Sequence, residues 1–310
     1  MLRVLVLGAA AGGGFPQWNG NDHASRQSRA GDSRYPPLTQ SSIAVSGDGL
    51  RWVVVNASPD LRQQINERQQ LHPAPNAPRR ASPISAVVLT NADVDHVAGL
   101  LTLRESHPVA LYAHPETLAA LRQNPIFEVL NPNFVERRPL LLDEEVSLKD
   151  IGGKPLGINI ECFAVPGKVP LWLEETIGPD LSGEIGQTIG VEIRAEGSPS
   201  VFYVPNCSAM TAALANRLTD AEVVFFDGTL WRDDELLVAG VGTKTGLRMG
   251  HMSCFGHDGS MAALECLNIK RKIFVHINNT NPLLDQESSE RCEAQRAGWE
   301  IAYDGMELTL

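Results

Sequence analysis

Apolar positions along this chain come in short blocks set off by turn residues, and the blocks switch between strand and helix periodicity. Residues 2–7 form a β-branched run closed by Gly8, which predicts a buried strand. Residues 42–46 and 51–56 predict two strands around a Gly47-Asp48-Gly49 turn. Residues 60–70 predict a helix with Leu61 and Ile65 on one face, and the proline-rich stretch 71–83 a loop. A buried strand at 85–90, a helix at 97–105, a strand at 109–113 and a helix at 116–123 follow. Further strands are predicted at 158–165, 188–195, 200–204 and 223–226, with helices at 209–218, 260–267 and 287–297. The strand 272–276 runs into a polar cluster, and 301–303 with 306–310 predict a terminal hairpin around Asp304-Gly305. Many strands, interspersed helices and no long linker predict one α/β domain over residues 1–310, with sheets at its centre and helices outside.

Composition narrows the partners. A net charge of −11 argues against nucleic acid, which needs clustered Lys and Arg. Pro78-Arg79-Arg80 and Lys270-Arg271-Lys272 are too short to track phosphates. The five cysteines are odd in number and form no C-x-x-C pair, so reduced thiols in a cytoplasmic protein are expected. No apolar run approaches the roughly 20 residues of a membrane-spanning helix. Arg3 is the single positive charge before the apolar run 4–11, which holds an internal glycine, and that is poor for a secretory leader. The glycines at 12–14 lack G-x-G-x-x-G spacing, and Phe15-Pro16 cannot open a helix. They predict a tight turn or a close backbone approach.

The chemistry concentrates at residues 87–100, where a buried strand enters a loop carrying Asn91, Asp93, Asp95 and His96 before an apolar helix. Two carboxylates so close repel unless a cation or a shared proton neutralises them. The bland alternative makes Asp95 a helix cap and His96 a packed first-turn residue.

The segment N-x-D-x-D-H resembles the H-x-H-x-D-H motif of the metallo-β-lactamase superfamily, with Asn91 and Asp93 where histidines usually stand. Later stations follow in order. Lys168 stands in the Pro-Gly-His station, Cys207 where a bridging Asp is usual, Asp227 at an acidic strand end, and His276 at the last ligand position. The resemblance implies a four-layer αββα sandwich. What remains, the substituted Asp93 with the matching Asp95, His96 and His276, resembles a two-His-one-carboxylate site better than a two-zinc hydrolase site.

Six blocks make the resemblance more specific. They are residues 12–19, 39–44, Asn56-Ala57-Ser58-Pro59-Asp60, 165–171, 242–246 and 276–282, and together they resemble the coenzyme PQQ synthesis protein B family from end to end. That resemblance implies a part in pyrroloquinoline quinone synthesis: hydroxylation of the tyrosine ring of a Glu–Tyr precursor, using one Fe(II) and O2. Zinc or manganese could replace iron in the isolated protein. The implied partners are a small acidic tyrosine-derived substrate or the quinone, with other proteins of the pathway. Lys168, Lys244 and Arg248 would neutralise substrate carboxylates, and His251 and Asn278 would line the pocket. Asn91, Asp227 and Cys207 would stand behind the ligands. Each has a plainer alternative: a structural His251, a turn-capping Asp227, surface lysines, and a Cys207 that is a small buried hydrophobe. His72, His107, His114 and His257 are expected to be solvated. The competing role is a carrier of the quinone or its precursor towards the periplasm, and a zinc hydrolase is weaker still. Relatives often carry a cysteine-rich zinc turn after the Pro-Gln-Trp-Asn block; here Asn21-Asp22-His23-Ala24-Ser25 has no cysteine, so a structural zinc is not expected.

Overall fold

A computed structural model describes residues 1–169, 172 and 186–310; Pro170 and Leu171, in the 165–171 block, lie outside the described residues. The β-branched blocks become strands. β1 (Arg3–Gly8), β2 (Ser42–Ser46), β3 (Trp52–Val55), β4 (Ile84–Leu89), β5 (Val109–Ala113), β6 (Val135–Pro139) and β14 (Glu307–Thr309) form one sheet, ordered β14-β1-β2-β3-β4-β5-β6. β7 (Glu145–Lys149), β8 (Pro155–Ala164), β9 (Ile189–Arg194), β10 (Val201–Val204), β11 (Val223–Asp227), β12 (Arg271–Val275) and β13 (Trp299–Ile301) form the other, ordered β13-β12-β11-β10-β9-β8-β7. The Gly47-Asp48-Gly49 turn joins the antiparallel pair β2–β3 as expected.

Strand alternation assigns the two faces of the first sheet. Val4, Val6, Ile43, Val45, Val53 and Val55 share one apolar cluster with residues of the second sheet such as Ile160, Val191 and Phe225. Leu5, Leu7, Ala44, Trp52 and Val54 face the other way, against Leu61 of the helix Leu61–Glu67 and Leu118 and Leu121 of the helix Pro115–Arg122. Both faces of this sheet are therefore buried, which is why its strands read as unbroken apolar runs. Helices Ala212–Leu218 and Ser289–Arg296 add Leu214, Leu218 and Ala294 on the second sheet's side. The result is the expected four-layer αββα sandwich, the metallo-β-lactamase fold.

Several elements differ from expectation. The segment 97–105 is a single α-helical turn at Val94–Val97 followed by a 3₁₀ stretch, Ala98–Arg104. Gly99 explains the close fit, since a Cβ there would lie 2.0 Å from the Ser58 carbonyl oxygen. The helix at 60–70 stops at Glu67. β6 and β7 escape the pattern because they are edge strands rich in charge, with only one buried residue each. The helix His23–Arg29 is also unforeseen, since its buried residues are the serines Ser25 and Ser28.

The terminal hairpin does not form. β13 pairs in parallel with β12 (Phe274 opposite Ile301), whereas β14 pairs antiparallel with β1 (Arg3 opposite Thr309). Asp304-Gly305 is the crossing between the sheets. The Asp304 carboxylate accepts hydrogen bonds from Ala9 N (3.2 Å), Thr39 N (2.7 Å) and Thr39 Oγ1 (2.7 Å). Burial pushes this carboxyl up to about 6. Its proton is thus held more tightly in the folded than in the unfolded chain. The associated stabilisation is complete below about pH 4 and lost as pH rises through about 6. Asp304→Ala is expected to cost about 2 kcal/mol in urea denaturation, with the deficit against wild type narrowing between pH 4 and pH 7.

Candidate metal centre

Two strand ends build the site. β4 ends at Leu89 and delivers the loop 90–93 and then the helical turn Val94–Val97, which carries Asp95 and His96. β12 ends at Val275, and His276 then takes φ +59°, a left-handed conformation unusual for a non-glycine residue. The chain around it is locked by Gly228 N to Val275 O (2.8 Å) and by Ile277 N to Ala9 O (2.9 Å). This turn brings His276 Nε2 to 3.0 Å from Asp95 Oδ2, with His96 Nε2 3.9 Å from the same oxygen. Asp95, His96 and His276 each offer a ligand atom within 4.8 Å of the others and could hold a metal ion.

Surrounding polar groups aim the rings. Asn91 Oδ1 accepts from His96 Nδ1 (2.8 Å), while its amide donates to Asn206 Oδ1 (3.1 Å). His96 Nε2 is buried and has no hydrogen-bond partner among the described residues. Burial holds His96 down to about 4, against the pull of Asp95. Its imidazole is therefore neutral at physiological pH, a form suited to metal coordination. Beneath it, Asn56 at φ +64° exchanges hydrogen bonds with Thr90, and Ala57 N donates to His96 O (2.7 Å).

His276 Nδ1 lies 2.7 Å from Thr229 Oγ1, which donates to Asp227 Oδ1 (2.6 Å). Burial would lower His276, but its hydrogen bond to Asp95 and the charges of Asp95, Asp227 and Asp93 raise it overall. The two imidazoles in turn hold Asp95 well below the usual carboxylate range despite burial.

Asp227, His251 and His276 make a second convergent set. Asp227 is fully buried. Its Oδ2 accepts from Cys207 N (2.8 Å) and His251 Nδ1 (2.7 Å), and its Oδ1 from the amide and hydroxyl of Thr229. It thus both caps the turn and holds an imidazole, but that imidazole is His251; its hydrogen-bonded link to His276 runs through Thr229.

Other expected residues separate. Asp93, not Asp95, is the residue preceding the helical turn, and its carboxylate lies 3.6 Å from Lys168 Nζ. Asp93 is outside both convergent sets. Lys168, Lys244, His251, Asn278 and Asp93 line a cavity of about 380 Å³ over the ligand atoms; Arg248 does not, although Met249 does. Gly12 also lines it, and a Cβ there would sit 3.4 Å from Asp95 Oδ2, while Gly13 and Gly14 turn the chain at positive φ. Both expectations for the glycine run are met. Cys207 is fully buried. His72 and His257 are exposed, but His107 and His114 are half-buried, His114 as the residue before the helix Pro115–Arg122.

The cysteine-free turn has its own fastening. Asp22 accepts from Ser25 N (2.9 Å) and Ser25 Oγ (2.5 Å). Arg29 donates to Gly20 O and Gln17 O, both at 2.5 Å, and Arg26 donates to Asn21 O.

Comparisons with known proteins agree with this architecture. The family model described as a beta-lactamase superfamily domain matches residues 51–277. A crystal structure of Zn(2+)-bound PqqB from Methylobacterium extorquens has 48% sequence identity and a TM-score of 0.93, covering 99% of this chain and 100% of that one. A diphosphatase of the PhnP family, 20% identical with a TM-score of 0.67 over 100% and 98% of the two chains, shares the fold. Fold and strand-end site thus define a metallo-β-lactamase-fold protein. Coenzyme PQQ synthesis protein B of Gluconacetobacter diazotrophicus is 52% identical over 309 residues, and that of Xanthomonas euvesicatoria pv. vesicatoria 50%, each match covering 100% of both chains. The chain belongs to the coenzyme PQQ synthesis protein B family.

Thr229, Asn206, Asn56 and Thr90 were not foreseen as site residues. The Asn56 block was visible only as a family signature; its hydrogen bonds depend on strand neighbours distant in sequence. Burial pushes the thiols of Cys207 and Cys254 up, and that of Cys162 up to about 12. At pH 8, iodoacetamide is expected to label exposed Cys266 and to spare these three until the protein is unfolded, as read by peptide mass mapping.

Proposed function

We propose that this protein acts in pyrroloquinoline quinone synthesis as a metal-dependent oxygenase that hydroxylates the tyrosine ring of a small acidic Glu–Tyr-derived molecule. The observation that carries the reading is the orphaned Nε2 of buried His96, beside Asp95 and His276. A buried ring nitrogen with no partner is costly unless a ligand takes it. The residues therefore fit a metal, held by Asp95, His96 and His276. Two imidazoles and one carboxylate are the donor set that suits Fe(II) with open positions. Iron bound there would supply the redox chemistry of O2.

The chain's own groups do the rest. Asn91 fixes the His96 tautomer by accepting from Nδ1. Thr229 does the same for His276, relaying its hydroxyl proton to Asp227. Lys168 and Lys244 line the cavity and would draw in substrate carboxylates, Lys168 with Asp93 as its neighbour. His251 lines the cavity with its Nδ1 held by Asp227.

A single metal is proposed rather than a bridged pair. Four donors already occupy Asp227, Asn91 serves His96, Lys168 faces Asp93, and Cys207 is a buried thiol.

Anaerobic loading with Fe(II), then O2 and a Glu–Tyr substrate, is expected to add oxygen to the ring, read by mass spectrometry. Metal analysis should give about one site ion per chain; two tightly held zincs with hydrolytic turnover would contradict the reading. His276→Ala is expected to lose the metal and turnover with the fold intact by circular dichroism. Asp227→Asn should cost roughly 10–100-fold. Full iron loading and turnover in His276→Ala would remove that residue from the ligand set. Quinone binding without turnover in the wild type would favour the carrier role.

A further inference from the structure

The cavity over the ligand atoms adjoins a larger one of about 970 Å³, and Gly12, Leu236 and Asn278 line both. Whatever reaches the metal pocket from the larger cavity passes these three residues. Two of them connect to Glu235, Leu236 along the chain and Asn278 through Thr280. Leu236 is its chain neighbour on the short helix Glu235–Val238. Asn278 donates from Nδ2 to Thr280 Oγ1 (2.8 Å), and Thr280 Oγ1 donates to Glu235 Oε1. The other carboxylate oxygen accepts from Trp231 N (2.7 Å). Asn278 N is bonded to Thr229 O (3.0 Å), so Glu235 closes a loop of hydrogen bonds between the 229–235 and 276–280 segments.

Other hydrogen bonds hold the flanks of this wall, among them Asn281 Nδ2 to Gly228 O (2.8 Å) and Asn279 Nδ2 to Gly14 O (2.8 Å), whereas the Glu235–Thr280 contact joins the helix to the 276–280 segment. Leu237, Val238 and Val241 are exposed apolar residues, Val238 at 79%. Glu235 itself is half-buried, and burial pushes its carboxyl up to about 7. A buried acid is costly, and its hydrogen bonds are what compensate it here.

We propose that Glu235 is a positioning residue that sets the opening between the two cavities by holding Asn278 through Thr280. It makes no contact with the metal ligands and acts on what is admitted and how it is seated. The proposal rests on the enzymatic reading for its kinetic test, but its structural test stands apart from it.

The variants are Glu235→Ala, Glu235→Gln and Thr280→Val in the metal-loaded full chain. Glutamine can accept from Trp231 N and donate to Thr280 Oγ1, so it preserves the relay. Glu235→Ala and Thr280→Val are both expected to raise KM for the Glu–Tyr substrate about fivefold or more with kcat little changed. Metal content should stay at the wild-type level. Hydrogen–deuterium exchange over residues 276–281 should quicken in both and remain at the wild-type rate in Glu235→Gln. A silent Thr280→Val, or a Glu235→Gln as impaired as the alanine variant, would overturn the relay. An unchanged KM with faster exchange would overturn the role in admission. If Glu235→Ala does not fold, Thr280→Val and Glu235→Gln still decide it. A wild-type protein that turns over no substrate sinks the enzymatic reading, and binding of pyrroloquinoline quinone, followed by tryptophan fluorescence, then replaces KM: an unchanged Kd in Thr280→Val overturns the proposal.

Discussion

The seam between the two sheets holds a load of polarity that an apolar sandwich cannot absorb unaided. Asp95, His96, Asp227, His251 and His276 meet there, and Asp227 and His96 have no exposed surface at all. Buried charge persists only where donors and acceptors close around it. Much of the local architecture reads as that closure. Thr229 serves Asp227 and His276 together, Asn91 serves His96, and Asn56 with Thr90 anchors the loop from below. Even the backbone conforms, with His276 and Asn56 in left-handed geometry so that their side chains arrive where they are needed.

The same closure gives meaning to the residues that depart from the superfamily pattern. Asn91 sits at a usual ligand position and instead orients the neighbouring ligand candidate. Lys168 brings a cation to 3.6 Å from Asp93, so the carboxylate of the second altered position is engaged away from the convergent set. Cys207 contributes its backbone amide to Asp227 while its buried thiol donates to Ala209 O (3.3 Å). Asn91, Lys168 and Cys207 each engage a neighbouring polar group of the site: His96, Asp93 and Asp227 respectively.

Strand content and site loop were legible because they depend on local pattern: an apolar run such as 85–90, then a polar loop, predicts a strand that ends at a site. The pairing of Asp95 with His276 was legible only through family resemblance, as 181 residues separate them. Asp93 was grouped with the ligands because proximity in sequence does not reveal which way a carboxylate turns. Thr229 gave no signal, since a threonine beside an aspartate is ordinary until a third residue arrives from another strand. The Asp304-Gly305 turn misled for the converse reason. Its local chemistry fits a hairpin, and only the distant edges of β1 and β12 decide that the flanking strands part company.

That crossing has a consequence for how the molecule comes into being. β1 is made first, yet its outer edge is covered by β14, about 300 residues later, and β12 likewise awaits β13. Neither sheet is sealed until the final strands have left the ribosome. During synthesis β1 and β12 therefore present unpaired backbone edges, the kind of surface to which chaperones and stray strands attach. Completion of this fold waits on β13 and β14, and a chain stalled before residue 299 would leave both β1 and β12 uncovered at once.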